Sequence, residues 1–194
     1  MRFASASSAG AEGVELETMG YKTAEEIFQP DARFAAFVVM EERGLRPVTI
    51  LDHHASIGRV ILKGAAPIEV VDAYERARNT MLYAFFDYDL LVVGEIQAYG
   101  AFELALKHRI NGHGGDAKGS MRKLVDQARK AGIFPKLEAD AGPFDDPVEA
   151  IVALRNSLAH GNSQIHAPGM ALQVLDSCAW GIDTVFPATG APCP

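Results

Sequence analysis

Arg155, Asn156, Ser157 and His160 fall within one short run of the chain. Together they offer a fixed cation, an amide, a hydroxyl and a titratable base. A guanidinium fork matches the oxygens of a phosphate, and an imidazole moves protons near neutral pH. The chemistry on offer is therefore anion clamping coupled to proton transfer. The plainer reading is an Arg in a structural ion pair and an exposed His at a helix end. Spacing alone favours the plainer one, because an Arg and a His five positions apart often occur by accident.

These residues sit in DPVEAIVALRNSLAHG, Asp146 to Gly161, which reads as one helix with both ends marked. Asp146 suits the N-cap, Pro147 the first helical position, and Glu149 completes a capping-box-like pair. Gly161 can close the helix in the left-handed conformation. Val148, Ile151, Val152, Leu158 and Ala159 recur at helical spacing and should be buried. Arg155 falls on that same stripe, where a cation needs a partner. Asn156, Ser157 and His160 form a small polar face. His160 lies in the last turn, where the helix dipole favours its charged form.

The run Arg155-Asn156-Ser157-Leu158-Ala159-His160 resembles the R-[polar]-x3-H motif of the HEPN superfamily, and the flanking LRNSLAHG agrees with it. The earlier run EIQAYGAFELALKHRI, Glu95 to Ile110, resembles the long helix that precedes the motif. The likeness covers roughly residues 67–187. It implies an all-α bundle and, as in many members, a metal-independent endoribonuclease of toxin–antitoxin or phage-defence systems. Arg155, His160 and Asn156 would be the catalytic set. His160 would act as base or acid, Arg155 as phosphate clamp, and Asn156 would orient a ligand oxygen or fix the helix. Because one chain supplies one motif histidine, the resemblance implies a homodimer with two motifs facing one cleft. In a monomer a second base would be needed, and His108 and His113 are the candidates proposed for it. RNA is the implied substrate, and an antitoxin or nucleotidyltransferase-like protein the implied partner. Some toxin members carry a tyrosine two positions after the motif histidine, where this chain has Asn162. Other relatives keep the fold as a non-catalytic binding module, which is the alternative function.

Net charge is −7 with 48% hydrophobic residues, which supplies a core but argues against generic nucleic-acid binding. The charge is uneven. Between Lys107 and Lys136 eight cations face two carboxylates, a local +6 that leaves −13 elsewhere. Such a patch suits an anionic ligand or acidic partner, or is simply a solvated face. The two cysteines, Cys178 and Cys193, imply no disulfide framework. No signal peptide or membrane span is expected, so a cytoplasmic protein is the default.

In order, residues 1–20 read as a disordered arm, 21–66 as an appendage, 67–187 as the bundle and 188–194 as a tail. In the appendage, Thr23 with Glu26 signals a short helix. Asp31 should cap a second helix that carries Phe34, Phe37 and Val38 inward and stops at Gly44. Val48 to Leu51 and Arg59 to Leu62 should pair as a hairpin or run extended. Asp52, His53 and His54 give only a weak metal signal, and no metal or other cofactor is assigned.

In the bundle, Val70, Tyr74, Ala77, Met81 and Phe85 form one stripe. Leu90 to Leu106 is apolar nearly all round, as expected of a central helix. Gly94, Ala98, Ala101 and Ala105 make a seam of small residues along it. Glu95, Gln97 and Glu103 interrupt it, and a carboxylate there wants a partner. Glu103 can meet Lys107 or Arg155. The glycine-rich run Asn111 to Ser120 lacks the Gly-Lys-Ser/Thr ending of a nucleotide-binding loop. Ser120 should cap a helix with Leu124, Val125 and Ala128 inward, ending at Gly132. The last helix carries Ala171, Val174, Leu175, Cys178, Ile182 and Val185.

Overall fold

The computed structural model describes residues 21–42, 44–111, 119–138, 140, 142, 144–159 and 165–188. The expected arm, the tail from residue 189, His113, His160 and Gly161 lie outside them. Six helices pack as a bundle: α1 (Ile50–Gly58), α2 (Ile68–Tyr83), α3 (Leu90–Asn111), α4 (Met121–Lys130), α5 (Pro147–Ala159) and α6 (Pro168–Val185). A short antiparallel hairpin, β1 (Val38–Glu41) and β2 (Gly44–Pro47), precedes them.

The helix nearly without a polar face becomes the centre. α3 packs against α2, α4, α5 and α6. Leu91, Ala98, Tyr99, Ala101, Phe102, Ala105 and Leu106 are all buried. Its small residues permit close approach. A Cβ at Gly94 would lie 2.4 Å from Cγ of Met81 on α2. On the other side, a Cβ at Gly181 of α6 would lie 2.7 Å from the Phe102 ring. The stripes expected on α2 and α6 are both buried. So are Leu124, Val125 and Ala128 of α4, and Gly132 takes a positive φ of 75° just beyond it.

The appendage departs from expectation in three places. Thr23 and Glu26 do bond, at 3.0 Å through both the backbone N–H and the hydroxyl, but they close a turn and not a helix. Asp31 caps only a 3-10 helix, Ala32–Ala36, by accepting from the Arg33 N–H. The chain leaves it at Phe37 because the β-branched pair Val38-Val39 favours extended backbone, and Gly44 at φ 126° serves the hairpin turn. The hairpin therefore lies upstream of where it was expected. Val48 to Leu51 does not form a strand, because Thr49 and Asp52 build a capping box that starts α1. Arg46 fastens that box, donating to Asp52 at 2.5 and 2.9 Å. Arg59 caps the end of α1 in the helical region, and Val60 to Leu62 form no strand.

Phe34 joins the bundle core, packing against His53, Phe85 and Tyr88. Asp31 is buried beside it. Burial opposes its ionisation, but bonds from Arg33 and the Tyr88 N–H hold its pKa down to about 2. The adjacent histidines diverge, as neighbours on a helix must. His54 is exposed, whereas His53 is buried with Nε2 2.8 Å from the Met81 carbonyl oxygen. Among the described residues no cluster of three or more His, Cys, Asp or Glu could hold a metal. No described helix is long and apolar enough to cross a membrane.

His53 gives the fold a pH dependence. Burial lowers its pKa from the ordinary 6.5, against the pull of the Met81 carbonyl. The unfolded chain then binds the proton more readily, so this stabilisation is complete above pH 6.5 and is lost as pH falls below it. Urea unfolding of wild type and His53→Gln should show a wild-type advantage at pH 7.5 that shrinks by pH 5. An advantage that is the same at both pH values would contradict a buried neutral imidazole.

Candidate functional site

α5 starts where the sequence places its cap. Asp146 Oδ1 accepts from the N–H groups of Val148 and Glu149, at 2.9 and 3.0 Å. Glu149 does not turn back to complete a capping box. Two arginines of α4 hold its carboxylate: Arg122 at 2.8 and 2.5 Å, and Arg129 at 3.2 Å. Arg129 also bonds Asp146 at 2.8 Å and the Pro135 carbonyl. Their attraction outweighs the reciprocal cap because charged hydrogen bonds are about twice as strong as neutral ones. This knot fixes the first turn of α5 to α4. It also consumes two cations of the basic segment, and Glu103 takes a third, Lys107.

Two turns beyond the cap, α5 delivers Arg155. Ile151, Val152 and Leu158 are buried as expected, but Arg155 lies at the edge of their stripe and keeps 38% of its side chain exposed. It reaches towards α3. Nη2 is 4.0 Å from Glu103 Oε2, and Nη1 donates to the Asn156 side-chain oxygen at 3.3 Å. Glu103 is closer to Lys107, at 2.7 Å. Both partners foreseen for Glu103 are present, and the lysine is the tighter. Among the described residues Arg155 is thus a loosely held cation with donors to spare. It lines a cleft of about 240 Å³ with Ile96, Tyr99, Gly100 and Glu103, all from α3. Asn156 is exposed. Of the expected catalytic set, Arg155 and Asn156 stand together, and His160 lies outside the described residues. His108 does not line this cleft. Its Nδ1 is buried with no hydrogen-bond partner among the described residues.

The same face of α3 carries a second polar centre that the sequence reading did not assign. Glu95 is completely buried, and its Oε2 lies 2.8 Å from Nδ1 of His166, in the segment that enters α6. Burial pushes the carboxyl above its ordinary range, against the opposing pull of His166. The other carboxylate oxygen has no hydrogen-bond partner among the described residues, and neither has the Tyr99 hydroxyl one turn along. Burial likewise raises Tyr99 and Cys178, so both stay protonated at neutral pH. One signal did point here. A carboxylate in an apolar helix demands a partner, but the sequence could not say that His166, 71 positions away, supplies it.

Because Lys107 already neutralises Glu103, removing Arg155 strands no carboxylate. Arg155→Ala should therefore cost no more than about 1 kcal/mol in urea unfolding, as for exposed ion pairs. A loss of about 3 kcal/mol or more would mark Arg155 as half of a buried structural pair.

Comparison with protein-family models, curated proteins and solved structures finds no match to this chain.

Proposed function

We propose that this chain is a metal-independent endoribonuclease of the HEPN type, with Arg155, Asn156 and His160 as its catalytic set. The observation that carries this reading is the state of Arg155: a half-exposed guanidinium at a cleft, 4.0 Å from a carboxylate that Lys107 already neutralises. Arg129, by contrast, is buried and held by Asp146, Glu149 and the Pro135 carbonyl. An arginine with spare donors suits a phosphate, whose oxygens match its fork. The bundle of helices and the run LRNSLAHG agree with that assignment.

In this reading Arg155 clamps a phosphate of the RNA strand. His160 moves the proton of the 2′-hydroxyl or of the departing 5′-oxygen. Asn156, bonded to Arg155, orients the fork. A homodimer brings two copies of the motif to one groove. The acidic surface disfavours capture of RNA from bulk solution, so local docking or a partner delivers the substrate. A defence or stress role, with an antitoxin or nucleotidyltransferase-like partner, fits such an activity.

The test uses purified protein, varied single-stranded RNAs and excess EDTA. Cleavage should survive EDTA and leave 2′,3′-cyclic phosphate ends. Arg155→Ala and His160→Ala, both folded, should lose about 10²-fold or more in rate. Light scattering should give a dimer at micromolar protein. If wild type cuts none of these RNAs, the chain is a non-catalytic helical binding module; if both variants cut as wild type does, Arg155 and His160 are not its catalytic residues. A strict monomer would remove the composite groove.

A further inference from the structure

Glu95 and His166 have the geometry of a base with its orienting carboxylate. The carboxylate is wholly buried at the foot of the pair, while the imidazole keeps 20% of its side-chain surface. One proton lies between Nδ1 and Oε2. With that proton on the ring, Nε2 carries the free lone pair and the imidazole is fixed in one tautomer. An ordinary core histidine has its ring enclosed, as His53 has. His166 is instead anchored from below and open to the surface.

Its place on α3 ties this pair to Arg155. Glu95, Tyr99 and Glu103 recur every four residues, so they lie along one side of the helix. Glu95 anchors His166, Glu103 faces Arg155, and Tyr99 between them lines the Arg155 cleft. Eight residues of helix rise by about 12 Å. That spacing suits an oligonucleotide laid along α3, with His166 at the cleaved nucleotide and Arg155 on a flanking phosphate, where it anchors the strand and does not touch the phosphorane.

We infer that His166, oriented by Glu95, is a general base for RNA cleavage within the same chain. This inference rests on the ribonuclease reading above. Nε2 takes the proton of a 2′-hydroxyl, and the 2′-oxygen forms a bond to the adjacent phosphorus. The bond from phosphorus to the 5′-oxygen breaks, and that oxygen takes a proton from the general acid of the ribonuclease reading, which regains one from solvent. The products are a 2′,3′-cyclic phosphate and a 5′-hydroxyl. The protonated ring then returns its proton to solvent. Each protomer thereby holds a cation and a base along one helix, without waiting for a histidine from a second chain.

The experiment compares full-length wild type, His166→Ala and His166→Asn on single-stranded RNA in EDTA, with melting curves to confirm folding. Asn can still donate to Glu95, so it guards against a loss of fold in the Ala variant. Both variants should lose about 10²–10⁴ in rate. Added imidazole should restore part of the activity of His166→Ala, by filling the space beside Glu95, and none of Arg155→Ala. If wild type cuts and folded His166→Asn cuts equally well, the inference falls and the ribonuclease reading stands. A loss without imidazole rescue in folded His166→Ala would reduce His166 to a structural partner of Glu95. If wild type cuts no RNA, both ideas fall together.

Discussion

A carboxylate buried at the centre of the bundle constrains everything around it. Removing Glu95 from water costs several kcal/mol unless a partner compensates. The fold meets that demand by bringing the segment before α6 over α3 and setting His166 on the carboxylate. α6 then lies along α3 closely enough that Gly181 admits no side chain beside Phe102. The Tyr74 hydroxyl, donating to the Leu175 carbonyl at 3.1 Å, ties α2 to the same helix. A buried ionic pair of this kind adds little net stability over well-packed apolar side chains. Such a pair marks a functional position more readily than a structural one.

The two carboxylates on this side of α3 have different tasks. Glu103 is partly exposed and shared between Lys107 and Arg155, so its charge is spread and its hold on Arg155 is weak. Glu95 is enclosed and has one partner among the described residues, so its hold on His166 is strong and directional. A weak hold leaves a cation free to meet an incoming phosphate. A strong hold fixes an imidazole in one orientation. The arginines of α4 follow a third pattern. Both terminal nitrogens of Arg129 are engaged, by Asp146, Glu149 and the Pro135 carbonyl, and they tie α4 to the start of α5.

Periodicity made the helices from Pro67 onward legible, because each buries a stripe that repeats every three or four residues. The small-residue seam of α3 was legible for the same reason. The appendage was misread where two local signals competed. Val48 to Leu51 has the β-branched composition of a strand, but Thr49 and Asp52 close a capping box, and Arg46 from the preceding strand reinforces it. Arg155 and Asn156 could be named from spacing and resemblance. The exposure of Arg155 could not, since it depends on how far α5 is rotated against α3. His166 escaped notice because its partner is distant in sequence, although Glu95 announced the need for one.

In the function proposed above, RNA lies along α3 with one phosphate at Arg155 and a neighbouring nucleotide at His166. The most direct measurement is an NMR titration of isotope-labelled protein with a 2′-O-methylated oligoribonucleotide in EDTA, which binds without being cut. The amide signals of Ile96, Gly100 and Asn156 and the ring signals of His166 should move most. The shifts should weaken as salt is raised. Shifts confined to the basic residues of α4, or none at saturating ligand, would contradict the account.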